Sequence, residues 1–291
     1  MKKCFICDCK ELLVVFNGKI RSGAFGRMTT EDYKVFECLG CGVKFLDKFL
    51  NQDFYTSIEY RENYNDSSSV DTYHQIHDNG ETDKVYKIGL DNFRNKKVAD
   101  FGTGGGTFLD VVSAVAKKTF AIEPAGFFHS DLKVKHKVFS YGSELVHSGE
   151  TIDIATSFDV LEHVESPLDF LKEINSSLID GGVMYLMTPN FNEILNDFGL
   201  EEFEKFNYRT AHYYYFCEKS IGNLLKLAGF KNFKISFHHK YDASNLLYWL
   251  KDGKPTGKNK YNFFDSDFNS YYKNYLISKG KASHLWIRAE K

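Results

Sequence analysis

The sequence is short of several things, and each shortage closes off a class of protein. No stretch reaches the ~18 consecutive apolar residues that a membrane span needs, so no membrane-spanning segment is expected. Neither charge is in excess: 37 Lys and Arg stand against 39 Asp and Glu, a formal net charge of −2. A whole-chain attraction to phosphate backbones is therefore missing, which makes nucleic acid a disfavoured partner. Cysteine is scarce beyond residue 41, where only Cys217 remains. No disulfide framework can serve a chain so unevenly supplied, and a reducing compartment fits better. The opening Met1-Lys2-Lys3-Cys4 lacks the apolar run and cleavage site of a secretory signal, so the expected location is cytoplasmic.

What the sequence does contain is globular: 291 residues, 43% hydrophobic and 26% charged. That length holds one α/β domain of ordinary size and a smaller attachment. The attachment is expected at the front. Cys4-Phe5-Ile6-Cys7 and Cys38-Leu39-Gly40-Cys41 form two CxxC pairs, with Gly42 after the second. Four thiolates from two such knuckles suit a closed tetrahedral zinc site, which is structural because it leaves no open coordination position. The segments Leu12 to Phe16 and Lys34 to Glu37 have the β-rich look of a ribbon between the knuckles. Cys9 is also in reach and could replace Cys7, and Cys217 reads as a core filler. So short a module has little core, so metal binding would largely fold it.

Residues 51–96 are polar and tyrosine-rich and read as a linker and lid, with a helix expected over Glu81 to Phe93. From Lys97 onward, strands alternate with helices, the pattern of a parallel sheet covered on both faces. Val98-Ala99-Asp100-Phe101 runs into Gly102-Thr103-Gly104-Gly105-Gly106 and then into a helix carrying Phe108, Val111, Val112 and Val115. A strand, a glycine turn and a helix make a nucleotide-site layout. The second strand, Thr119 to Ile122, ends in Glu123, about 20 residues past the glycines, where an acid can grip ribose hydroxyls. Ile152 to Phe158 is a further strand. Ser166 then caps a helix with Pro167 at its first position and Leu168, Leu171, Ile174 and Leu178 on one face, and Gly181-Gly182 is expected to stop it. Val183 to Thr188, Phe233 to Phe237 and His284 to Ala289 supply more strands, for seven at most, and Glu218 to Ala228 another helix ended by Gly229.

Five segments, in order, resemble the class I S-adenosylmethionine (SAM)-dependent methyltransferases, in the small-molecule branch that includes ubiquinone-biosynthesis O-methyltransferases and sugar methyltransferases. They are Val98 to Gly106, Ala121-Ile122-Glu123-Pro124, Phe158 to Val164, Gly181 to Asn190, and His212 to Phe216 with Leu224 to Phe230. The glycine spacing separates the chain from dehydrogenases, since Thr107 stands where a dinucleotide fingerprint wants its third Gly. The resemblance implies an α/β fold, a Rossmann-like seven-stranded sheet with helices on both faces, over 97–291, preceded by the zinc-ribbon-like module over 1–50. Residues 238–282 match nothing and are expected to form a substrate cap, or a dimer contact.

The same resemblance implies SAM as cofactor. Asp100, Gly102, Gly104 and Gly106 would shape the pocket for its methionine part, Glu123 would bind the ribose, and Asp159 and Tyr141 would lie nearby, Tyr141 reading equally well as an ordinary aromatic. If the acceptor is an alcohol, a histidine is the natural base, and His163 and His212 are the two candidates. Glu162 with His163 is also similar to a metal-ligand pair of RNA-end methyltransferases. Tyr213 to Phe216, with Tyr248 and Trp249, could line a pocket that stacks on a sugar or aromatic ring. The expected partner is a small-molecule acceptor, a sugar or sugar-linked group of a surface polysaccharide. The rivals are methylation of a ribosomal RNA guanine, carbon methylation of a deoxysugar, and SAM or partner binding without turnover.

Overall fold

The structure is a computed structural model that describes residues 3–50, 56–57, 62, 69–257 and 259–291. In chain order its strands are β1 (Leu12–Gly18), β2 (Tyr33–Cys38), β3 (Lys44–Leu46), β4 (Lys97–Phe101), β5 (Lys118–Ile122), β6 (Lys137–Phe139), β7 (Ile152–Phe158), β8 (Leu178–Pro189), β9 (Tyr214–Tyr215), β10 (Asn232–His238) and β11 (His284–Glu290). The helices are α1 (Val70–Ile88), α2 (Thr107–Ser113), α3 (His129–Lys135), α4 (Gly142–His147), α5 (Pro167–Ser177), α6 (Ile194–Asp197), α7 (Glu201–Asn207), α8 (Glu218–Leu227), α9 (Ala243–Asp252) and α10 (Ser266–Ser278).

Seven strands form one sheet in the order β10-β11-β8-β7-β4-β5-β6. β4 pairs in parallel with β5 on one side and β7 on the other, with Asp100 opposite Ala121 and Thr156. The chain therefore leaves β4 in one direction to build β5 and β6 and returns to its other side for β7. That reversal leaves a crevice at the carboxyl ends of β4 and β7, the place where open α/β sheets bind ligands. Val98, Ala99, Phe101, Phe120, Ala121 and Ile122 are buried on these central strands, as expected for a sheet covered on both faces.

The chain divides into two compact units. The first comprises 1–49, 187–224 and 234–287; the second comprises 50–186, 225–233 and 288–291. In the first unit β1, β2, β3 and β9 make a four-stranded sheet in that order, with the β1–β2, β2–β3 and β3–β9 pairs antiparallel. Ile20, Val35, Leu46, Tyr208 and Tyr215 form its core, and Leu195, Phe203 and Trp249 a second cluster.

Two sequence expectations need correction. The helix expected over Glu81 to Phe93 begins at Val70 and ends at Ile88, followed by a 3-10 turn over Leu90–Phe93. Ser69 caps it by accepting a hydrogen bond from the Thr72 N–H, and Val85 is its buried residue, so no apolar stripe marked its first three turns. Gly181-Gly182 do not stop the preceding helix. That helix closes at Ser177, Leu178 is already extended, and β8 runs through both glycines. The physical reason is close backbone approach: a Cβ on Gly182 would lie 2.9 Å from the Ile179 carbonyl oxygen and 3.2 Å from that of Asp153.

Candidate cofactor site and metal centre

The glycine turn leaves β4 at the crevice and is shaped by contacts that leave no room for side chains. Gly102, Gly104 and Gly106 adopt φ of +81°, +57° and +89°, the left-handed region that glycine enters at little cost. A Cβ on Gly102 would lie 2.4 Å from Val160 Cγ2, so this glycine is what lets the β4 and β7 exits touch. A Cβ on Gly104 would lie 2.1 Å from the Tyr73 hydroxyl. Tyr73 stands over Gly104 and Gly105 from the first turn of α1, with its ring 4.3 Å from that of His77 and 5.0 Å from that of Phe128.

Glu123, buried at the end of β5, holds the turn in place. Its Oε2 accepts the Gly104 N–H at 2.8 Å and its Oε1 the Ala125 N–H at 2.8 Å. Two charge-assisted bonds to backbone thus tie the turns after β4 and β5 to one carboxylate. Asp100 is buried at the end of β4, where the Thr156 hydroxyl donates to its Oδ1 at 2.6 Å. Burial pushes its carboxyl up to about 7, against the pull of that hydrogen bond. Across the crevice Asp159 leaves β7 at φ +58°, a strained conformation for a residue with a side chain.

These residues fit the layout of a nucleoside-cofactor site: a left-handed glycine turn with a buried acid one strand over, at the reversal of the sheet, with Tyr73 standing over Gly104 and Gly105. Asp100, Gly102, Gly104, Gly106, Glu123 and Asp159 all belong to the second unit and gather around the two exits. Tyr141 is the residue before α4, 58% exposed and making no side-chain cap. His163 lies in the second unit, buried in the 3-10 turn Leu161–His163, with Nε2 3.7 Å from Glu162 Oε1. His212 lies in the first unit, buried, with its ring 6.0 Å from that of Tyr215.

Sequence reasoning missed the wall that α1 builds beside the glycine turn. His74 Nδ1 lies 2.9 Å from both Asp78 Oδ1 and Thr107 Oγ1, and the Thr107 hydroxyl donates to Asp78 Oδ1 at 2.5 Å. The one local signal was Ser69 before a polar run, a cap without an apolar stripe behind it.

The front module gathers its sulfurs as the spacing suggests. The Sγ atoms of Cys4, Cys7, Cys38 and Cys41 all lie within 4.8 Å of one another, with Cys4 to Cys41 at 3.6 Å and Cys7 to Cys38 at 3.4 Å. All are free thiols, and Cys4, Cys38 and Cys41 are buried. Zn–S bonds of about 2.3 Å in a tetrahedron need sulfurs a little under 4 Å apart, so the set fits zinc. Cys9 falls outside this set, its Sγ 3.9 Å from the Glu11 carbonyl oxygen. The hydrogen bond from Cys41 draws the Cys4 thiol down to about 5, and the same contact and burial push Cys41 up. The first knuckle needs Asp8 at φ +55° and the second Gly42 at φ +76°. Cys217 Sγ packs under the latter, 3.7 Å from the carbonyl oxygens of Cys41 and Gly42.

Residues 74–235, more than half of the chain, match the methyltransferase-domain family. Over 110 residues the chain is 31% identical to the ubiquinone biosynthesis O-methyltransferase of Parvibaculum lavamentivorans, covering 34% of this chain and 42% of that protein. Over 153 residues it is 26% identical to the tRNA U34 carboxymethyltransferase of Glaesserella parasuis, 49% of this chain and 48% of that one. The chain thus spans less than half the length of these curated relatives. Its fold is similar to that of a SAM-dependent methyltransferase from Archaeoglobus fulgidus, with a TM-score of 0.51 and 16% identity over 74% of this chain and 94% of that one. With the glycine turn, the acid after β5 and the sheet order in place, the chain belongs to the methyltransferase-domain family, among the class I SAM-dependent methyltransferases.

Proposed function

We propose that this protein transfers a methyl group from SAM to a hydroxyl of a small acceptor, a sugar or sugar-linked group used in surface polysaccharide synthesis, and that its front module holds a structural zinc. The observation that supports the cofactor half is the Glu123 clamp, which ties a buried acid and the glycine turn together at the crevice. When bound, SAM supplies an activated methyl group on a sulfonium. Glu123 would accept hydrogen bonds from ribose hydroxyls, and the backbone of Gly102 to Gly106 would lie against the methionine part. The chain's own work is alignment of the acceptor and exclusion of water.

An alcohol must lose its proton during transfer, and His163 and His212 are proposed as the groups that take it. The Glu162 carboxylate, 3.7 Å from His163 Nε2, is placed to favour the protonated ring once the proton has moved. Asparagine in place of the true base should lower kcat by about 10²-fold or more, with SAM affinity unchanged. The hydroxyl acceptor is supported by similarity to proteins named ubiquinone biosynthesis O-methyltransferases, and the sugar by analogy and the aromatic run Tyr213 to Phe216. A second reading, methylation of RNA, is favoured by similarity to a tRNA U34 carboxymethyltransferase, and the balanced charge weighs against it.

The test is incubation of purified protein with methyl-labelled SAM and fractionated cell extract. Label in carbohydrate precursors is the expected result, and label in RNA would transfer the assignment to the second reading. SAM binding with no label in any fraction would overturn the proposed activity. Metal analysis should find about one zinc per chain; none would remove the metal centre.

A further inference from the structure

The charge balance of the whole chain hides an uneven distribution. Residues 238–282, which lie in the first unit, carry eight Lys and four Asp with no Arg or Glu, a surplus of four positive charges in a chain whose net charge is −2. The same segment holds ten Phe, Tyr and Trp, so lysines and rings are interleaved along it.

The structure turns several of these rings outward. Of the thirteen residues of α10 only Leu276 is buried, whereas Phe268, Tyr271 and Tyr275 are exposed. These three are spaced three and four apart and make one stripe along the helix. Ring contacts carry the stripe beyond the helix: Phe268 stacks on Phe264 at 4.9 Å, Phe264 meets Phe263 at 4.1 Å, and Tyr261 joins Phe263 to Tyr248 of α9 at 6.1 and 5.1 Å. Phe263 is 73% exposed and Tyr271 69%. Cations flank the rings. Lys279 Nζ lies 5.6 Å from the Tyr275 ring centroid, and Lys251 follows Tyr248 by about one turn of α9. Lys260 and Lys281 are paired with Asp242 at 3.3 Å and Asp197 at 2.7 Å, while Lys251, Lys254 and Lys279 are exposed.

A helix in a finished fold turns its apolar side toward a partner, and contiguous exposed rings mark a surface that meets something. The charges and carboxylates on the page decide what. A second copy of the chain would set two basic faces against each other. A bilayer would have to bury Asp265 and Asp267, which stand exposed between Phe263 and Phe268, Asp265 being fixed there as the cap that accepts the Phe268 N–H at 2.8 Å. Ionised carboxylates are costly in an apolar medium. A single-stranded nucleic acid asks for what is present: exposed rings on which bases stack, with lysines beside them for the backbone. Carboxylates at the edge of the rings can accept amino N–H groups of unpaired bases.

We propose that Phe263, Phe268, Tyr271 and Tyr275, with Lys251 and Lys279 beside them, form a docking surface for single-stranded nucleic acid. The surface belongs to the first unit alone and is independent of the methyl transfer proposed above. The test is fluorescence anisotropy on the full chain with a short labelled oligouridine over a series of salt concentrations. Binding is expected at low salt and should weaken as salt rises, because neutralised phosphates release counterions. Tyr271→Ala and Tyr275→Ala should each weaken it about tenfold, as for the loss of one stacked base, and Tyr271→Phe, which keeps the ring, should bind like wild type. Lys279→Gln should lower the slope of log K against log salt by about one. Tyr86→Ala, which removes a still more exposed ring in the second unit, should leave binding unchanged. All of these positions are exposed, so the unfolding temperatures should match wild type.

The surface is overturned if the oligouridine does not bind at low salt, if Tyr271→Ala and Tyr275→Ala both bind like wild type, or if Tyr86→Ala loses as much as they do. It is equally overturned if phosphatidylglycerol vesicles or alginate, an acidic glycan, bind more tightly through the same rings and displace the oligouridine. Sedimentation that finds a dimer dissociated by Tyr271→Ala would give the face to a second copy of the chain.

Discussion

At the end of β4 the glycine turn is held by the chain alone: Glu123 grips it from β5, Val160 presses on Gly102, and Tyr73 stands over Gly104. In the front module, by contrast, four thiols converge within 4.8 Å of one another. The first arrangement is tied by the chain's own hydrogen bonds, and the second is a thiol set whose spacing fits a metal. A cofactor that comes and goes each turnover is served by a turn ordered in advance, because ordering it on binding would subtract from affinity. A metal that stays can be part of the fold, and its binding is then folding free energy.

The contrast can be broken most forcefully at the metal. Structural zinc in small modules contributes about 10–16 kcal/mol of apparent binding, so chelation should unfold β1 to β3 while β4 to β7 keep their protection, read by hydrogen exchange strand by strand. Uniform protection after chelation would show that the knuckles are as self-sufficient as the glycine turn. Next in size is Gly102→Ala, which combines a left-handed backbone with a methyl 2.4 Å from Val160; urea unfolding should find a loss of about 2–4 kcal/mol. A loss under about 1 kcal/mol would mean that the two exits are not locked together.

Glu193 sharpens the comparison through pH. Its folded carboxyl titrates at about 8, raised by burial above the ordinary 4.5, so between those values the native state holds a proton that the unfolded chain has released. Stability should therefore fall as pH rises from about 4.5 to 8 and level off on either side. Glu193→Gln should abolish that slope and gain on the order of 5 kcal/mol over wild type above pH 8, and parallel pH curves for the two proteins would refute it. Glu123→Ala, which orphans two backbone N–H groups, should cost about 1–3 kcal/mol of stability and weaken SAM by about tenfold or more in calorimetry. Unchanged affinity would detach the acid from the cofactor. Smallest of all, Tyr141→Ala at an exposed position should change stability by less than about 0.5 kcal/mol, and a tenfold loss of SAM affinity there would extend the site to the start of α4.

What could be read from the sequence was the part whose chemistry is local. Strand, glycine turn and helix follow one another within Val98 to Ser113, Glu123 ends the next strand, and the cysteine pairs carry their own spacing. Gly181-Gly182 misled because glycine serves helix ends and crowded strands alike, and only the neighbouring Asp153 carbonyl tells which. The first turns of α1 were silent because Tyr73 and His74 earn their places against residues more than 30 positions away. His239 and Ser283 meet across 44 residues, and no pattern on either segment announces the other.

Glu123 carries a last consequence. The carboxylate proposed to receive the ribose is also the rivet between two turns. Affinity and order are therefore inherited together: a shorter acid would slacken the loop in the same step that it retreated from the sugar. Any substitution at this one position is therefore answerable to two obligations at once.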